Sequence, residues 1–170
     1  MSEVRQQATL IRAGKLEVDN WQRFEATDAQ PLPPESGNWL VPLPLWLSAQ
    51  ARLRGRSQPV GVLLAPADDP AELAEGGRVD PQGLALIAVD FPVYTDGRGY
   101  SIAYLLRTRF GWQGELRAVG DVMIDTIHYQ ARSGFDSFAV KPGHDPQEAL
   151  KALGTFTAGY QKTYPVPQAV

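Results

Sequence analysis

The chain has 170 residues, 44% hydrophobic and 21% charged, with a formal net charge of −3 and a pI near 5.4. This composition predicts one soluble globular domain over residues 1–170, large enough for a sizeable core and too acidic for general nucleic-acid or anionic-membrane binding. Cysteine is absent, which excludes disulfides, thiolate catalysis, a dithiol redox pair and cysteine-ligated iron–sulfur clusters, and fits a cytoplasmic location. The opening MSEVRQQATLIRAG has no long apolar core, so no signal peptide is expected. No apolar run is long enough to span a bilayer.

Residues 8–25 predict a β-hairpin, with Thr9–Ile11 and Leu16–Val18 flanking Ala13-Gly14, and with Trp21 and Phe24 adding apolar surface after it. Residues 27–38, TDAQPLPPESGN, read as an exposed proline-rich loop before a β–α body over about 39–163. Trp39–Val41 is a short strand punctuated by Pro42 and Pro44, and Leu45–Arg54 carries a helical pattern. Val60–Leu64 is a second strand. Asp68-Asp69-Pro70 marks a helix start, since proline is tolerated in a first turn and an aspartate before it caps free N–H groups. Leu84–Asp90 is a third strand, apolar throughout as parallel strands tend to be. A helix over Ser101–Phe110 stops at Gly111. Glu115–Val119 is a strand, Asp121–Ser133 a helix stopped by Gly134, and Phe135–Val140 a fifth strand. Asp145-Pro146 opens a last helix that runs to about Gln161.

Strands thus alternate with helices, which predicts an α/β fold with a mainly parallel sheet and right-handed crossovers behind an N-terminal hairpin. An open doubly wound sheet and a partial barrel both satisfy the pattern. Five β–α steps are too few for a closed eightfold barrel, and a homo-oligomer would cover the faces left bare.

The most informative stretch is DFPVYTDGRGYSIAYLLR, residues 90–107. It places a loop with two carboxylates, a guanidinium, a phenol and a hydroxyl between a strand and a helix, where parallel α/β proteins build ligand sites. Asp96, Arg98, Gly99, Tyr100 and Ser101 are the candidate ligand-binding residues. The glycines allow close backbone approach, the helix start offers free N–H groups, and Arg98 adds a forked donor for an oxyanion. In the plainer reading Asp96-Gly97 makes a turn, Ser101 caps the helix, and Arg98 is solvated or pairs with Asp90. The loop is neither a dinucleotide fingerprint nor a Walker loop, and the sequence names no cofactor.

Asp90 and Asp121 close the third and fourth strands, so adjacent parallel strands would bring both to one edge, with Asp96 and Asp125 near. They are the candidate catalytic residues, able to hold a divalent cation or to act as acid and base. Capping the following helix is the commoner use of an aspartate placed like Asp121. Arg117 lies inside a strand and shares its face with Glu115, which makes it a structural partner first and a ligand contact second. Arg107 and Arg109 sit at a helix C-terminus, where cations are favoured. Arg52, Arg54 and Arg56 read as a solvated helix end. His128 and His144 are too few for a metal cluster, although His128 is placed to pair with Asp125. The tryptophans read as core or interface anchors. There is no G-x-S-x-G elbow and no catalytic cysteine.

A run of segments resembles a known bacterial family. These are Ala88-Val89-Asp90-Phe91-Pro92, Thr95 through Ser101, Leu105-Leu106-Arg107, Gly114 through Val122 and Ser133-Gly134-Phe135-Asp136. Trp39 through Leu43 and Val60 through Leu64 fit as well, so the likeness covers roughly residues 8–140. The family is one of unknown function whose members are commonly labelled oxidoreductases involved in assimilatory sulfite reduction. The resemblance implies a role beside the sulfite-reducing machinery, with sulfite reductase or a related sulfate-assimilation protein as partner. It supplies no catalytic residue or cofactor to carry over.

Overall fold

The computed structural model describes residues 9–154. β1 (Leu10–Arg12) and β2 (Lys15–Glu17) form the expected hairpin around Ala13 and Gly14. Both turn residues have positive φ, 51° and 72°, the two-residue turn whose twist matches its strands. β3 (Trp21–Arg23) follows, then the proline-rich loop, then β4 (Asn38–Pro42) and α1 (Leu43–Arg54). The helix starts ahead of its predicted first residue because Pro42 ends the strand extended and Pro44 fits the first turn, where a missing N–H is no loss.

β5 (Val60–Leu64) lies where the sequence places it. The helix expected from Asp68-Asp69-Pro70 is only a 3₁₀ turn, Pro70–Leu73, with the Ala71 N–H donating to Asp69 at 2.9 Å. Gly76 and Gly77, both at positive φ, then fold the chain into a small hairpin of β6 (Ala74–Glu75) and β7 (Arg78–Val79). The remaining elements alternate as predicted: β8 (Leu84–Phe91), α2 (Arg98–Thr108), β9 (Glu115–Gly120), α3 (Ile124–Ser133), β10 (Ser137–Ala139) and α4 (Pro146–Gly154). The expected extension of the last helix to Gln161 lies outside the described residues.

The main sheet has eight strands in the order β2-β1-β10-β9-β8-β5-β4-β3. From β3 to β10 every neighbouring pair is parallel, and β1 returns antiparallel beside β10. The parallel strands are neighbours in chain order, with none of the reversal that defines a doubly wound sheet. β2 and β3 sit at opposite edges, yet only Val18, Asp19 and Asn20 separate them. Such a link spans at most about 15 Å, whereas eight strands laid flat would hold the edges about 34 Å apart. The sheet therefore curls into a partial barrel.

Alternation along each strand splits the apolar residues into two layers. Val41, Val62, Ile87, Val89, Leu116 and Ala118 face outward and pack with helix residues such as Leu53, Ile102, Leu106 and Ile127. Leu40, Leu86, Ala88 and Val119 form a separate inner cluster with Trp21, Leu63 and Ala139 packed against it. Burial on both faces is why these strands read as continuous apolar runs. The helix-end arginines are not solvated as a group: the Arg56 side chain is 4% exposed and donates to the carbonyls of Pro33 and Pro34 at 3.0 and 2.6 Å.

The inner face is filled by side chains. A Cβ placed on Gly61 would lie 2.6 Å from Leu40 Cδ2 and 3.1 Å from Leu86 Cδ1. Gly61→Val should therefore lower the unfolding free energy by about 1–3 kcal/mol through overpacking, with part of the loss recovered by adding Leu40→Ala. Urea denaturation of the single and double variants checks this, and a Gly61→Val protein as stable as the parent would contradict a filled interior.

Candidate functional site

β8 and β9 end side by side, with Asp90 opposite Val119 and Phe91 opposite Gly120. The Asp121 N–H donates to the Phe91 carbonyl at 2.7 Å. Gly120 has φ 91°, and a Cβ there would sit 2.6 Å from Asp90 Oδ1; its absence lets the Asp90 carboxylate lie against the neighbouring strand. Asp90 points to the inner face and accepts a fork from Arg23, at 2.8 and 3.3 Å. Arg23 belongs to the edge strand β3, with β4 and β5 between it and β8 in the sheet, so the pair forms across the curl.

Asp121 lies on the same rim and is held differently. It accepts the Tyr94 N–H at 2.7 Å and pairs with Lys141 Nζ at 2.6 Å. Lys141 first, and then the Tyr94 N–H, hold its carboxyl below the ordinary aspartate range. Asp121 is not the cap of the next helix: Met123 occupies that position and α3 begins at Ile124. The carboxylate instead ties the β8–α2 loop to the segment after β10. The structure thus brings Asp90 and Asp121 to one edge, each with its own cation.

The loop at 95–101 is organised by Asp96. Its carboxylate accepts from the Arg98 N–H, Nε and Nη2 at 3.1, 3.0 and 2.7 Å. The Arg98 side chain first, then its N–H, lower the Asp96 pKa, and Asp96 raises that of Arg98 in turn. Arg98 therefore pairs with Asp96 rather than Asp90, and its side chain is 61% exposed. α2 begins at Arg98, so Ser101 lies inside the helix and exposed rather than at its cap. Gly99 is where α2 touches the sheet: a Cβ there would meet the Phe91 ring at 2.6 Å. Tyr100 packs edge-on to Phe91, 5.4 Å between centroids. Burial pushes its hydroxyl pKa up, a contact with Thr126 opposes that, and Tyr129 adds to it.

Arg117 belongs to a different group. Its side chain is 1% exposed on the inner face. It donates to Glu115 at 2.7 Å, as the two-residue spacing predicts, to Asp19 at 3.1 Å and to Ser137 at 3.3 Å. Trp21 lies 5.9 Å away, ring centroid to guanidinium carbon. These partners draw the guanidinium toward the amino-terminal ends of the strands, away from the 95–101 loop. Arg107, placed in the sequence at a helix end, donates to the carbonyls of Gly134, Trp112 and Gly114 at 3.0, 3.0 and 2.8 Å and to Asp136 at 3.3 Å. Burial raises the Asp136 pKa, opposed by the Leu116 N–H and Arg107.

Sequence reasoning missed Arg23, Lys141 and Asp19, the partners of Asp90, Asp121 and Arg117. Each pair joins distant strands or loops, so no local spacing signals it. Among the described residues no group of three or more His, Cys, Asp or Glu side chains is gathered to hold a metal ion, and no helix is long and apolar enough to cross a membrane.

Together these features define a partial β/α barrel whose strand-end carboxylates are ion-paired within the chain. Residues 61–170 match the family described as bacterial protein of unknown function (DUF934), and the chain belongs to that family. The match carries the family and not the sulfite-reduction label. No curated protein and no solved structure matches the chain.

Because Asp121 has a lowered folded pKa, its anchoring of the loop is complete at neutral pH and is lost as pH falls through that lowered value. Asp121→Asn removes the charge at every pH. Tyr94 amide exchange should accelerate about tenfold in Asp121→Asn at neutral pH while core amides are unchanged; equal protection in variant and parent would contradict the anchor.

Proposed function

We propose that this protein is an accessory module that docks on an enzyme or carrier of assimilatory sulfite reduction, rather than turning over a substrate at its own strand ends. The observation that carries the reading is an aromatic surface along α2, α3 and the loop before α2. Tyr94, Tyr104 and Tyr129 are 50%, 40% and 59% exposed, and Val93, next in sequence to Tyr94, is exposed as well. Tyr104 stands one turn after Tyr100, and Tyr100 lies close to Thr126 and Tyr129 on α3. Aromatic residues are the types enriched at the centres of protein interfaces, where a few of them carry most of the binding energy.

The rim beside this surface supports the same reading. Asp90, Asp96 and Asp121 are each engaged by a cation of the chain, Arg23, Arg98 and Lys141. Acid–base work asks for a carboxyl poised near neutral pH, and Asp96 and Asp121 are moved the other way. The partner class follows from the family resemblance, and such machinery would place the protein in the cytoplasm.

A second reading is favoured by the exposed Arg98 head beside the first turn of α2. There an incoming oxyanion displaces Asp96 and the loop becomes an anion site for an enzyme of another kind. A homodimeric scaffold would use the aromatic surface to join two copies.

The test is binding of the full chain to purified sulfite reductase, followed by sedimentation. The expected result is a complex that Tyr104→Ser with Tyr129→Ser weakens about tenfold or more without unfolding the chain by circular dichroism. No complex, a complex indifferent to the two substitutions, or a dimer through this surface in place of the complex would each overturn the proposal.

A further inference from the structure

At the amino-terminal ends of the strands, opposite the carboxylate rim, a cavity of about 240 Å³ is bounded by Arg78, Val79, Pro81 and the loop Gly111 through Gly114. We propose that this cavity binds a small oxyanion, with the Arg78 guanidinium as its principal ligand.

Arg78 is an arginine whose natural partner is turned away. Its cross-strand neighbour in the β6–β7 hairpin is Glu75. The Glu75 carboxylate is engaged elsewhere, accepting from Gln50 at 2.8 Å and from Arg54 at 3.4 Å. Among the described residues no carboxylate reaches ion-pair distance of Arg78, whereas Arg12, Arg23, Arg54, Arg56, Arg98, Arg107 and Arg117 each have one.

Arg78 itself is exposed, and the backbone that carries it is fixed. Val79 N–H donates to the Phe110 carbonyl at 2.9 Å, which fixes the hairpin against the α2–β9 loop. Arg78 then lies over Gly111, so closely that a Cβ there would come 2.8 Å from Nη2. Gly111 has φ 67°, a left-handed conformation that favours glycine.

In the loop beneath, several acceptors are already occupied. The carbonyls of Trp112 and Gly114 are taken by Arg107 Nη1 at 3.0 and 2.8 Å, and the Trp112 indole donates to the Glu115 carbonyl at 3.1 Å. No carboxylate lines the cavity, and the Gln113 side chain adds an amide. A forked, permanently charged donor beside a side-chain amide suits oxyanion recognition, shared by a carboxylate, a sulfate and a phosphate. Barrel enzymes build their chemistry at the opposite end of the strands, and the role proposed here is binding. It does not depend on the docking surface proposed above.

The test is calorimetric titration of the full chain with sodium sulfate, inorganic phosphate and acetate at matched ionic strength. Intrinsic fluorescence gives a second readout, since Trp112 forms part of the cavity wall. At least one of the three anions should bind saturably with one-to-one stoichiometry, and which one distinguishes an inorganic anion from a carboxylate ligand. Arg78→Gln should weaken that binding at least about tenfold, the worth of a charge-assisted pair. Arg52→Gln, which removes another arginine lacking a carboxylate partner, should leave it unchanged. Absence of saturation by about 50 mM of every anion, equal binding by Arg78→Gln, or an equal loss in Arg52→Gln would overturn the proposal.

Discussion

Three residues, Val18, Asp19 and Asn20, join the two edge strands of an eight-stranded sheet, and their short reach forces the sheet to curl. The curl sets an inside and an outside. It also brings into contact charges that a flat sheet would keep apart. Asp19, in the link itself, meets the buried Arg117 of β9 at 3.1 Å. Arg23, just beyond the link, crosses to Asp90 at 2.8 Å. A buried guanidinium is tolerated only when its donors are satisfied, and the curl delivers Asp19 to join Glu115 and Ser137 around this one.

That arrangement bears on where the proposed sites lie. The inner face is filled by Leu40, Leu86, Ala88 and Val119, as the core of a β/α barrel is, and flanked by internally paired charges. The two proposed sites are peripheral. One region is the aromatic side of α2 and α3. The other is the Arg78 cavity at the far end of the strands. The two are built from different loops, and either could serve without the other.

Much of the fold was legible because the relevant physics is local. Val60–Leu64 and Leu84–Phe91 are apolar on both faces and were found within a residue of their ends. Ala13-Gly14 announced a tight hairpin, and Glu115 with Arg117 announced an ion pair by period two. Other features were set by distant segments. Asp121 looked like a helix cap, and only the folded chain supplies Tyr94 N–H and Lys141 to draw it away. Arg56 looked solvated, and only the returning proline loop offers it the carbonyls of Pro33 and Pro34. Pro70 did start a turn, but the propensity of a start says nothing of length when Gly76-Gly77 follows so soon. Doubly wound and barrel windings share one strand–helix alternation, so strand order alone separates them.

A direct contact between the link and the sheet interior closes the curl. A double-mutant cycle on Asp19 and Arg117, read by chemical denaturation of Asp19→Asn, Arg117→Met and the pair, measures that contact. The expected coupling energy is about 1–3 kcal/mol, with the second substitution costing less once the first is made. Additivity within about 0.3 kcal/mol would mean the two side chains do not meet and would contradict the curled architecture at its seam.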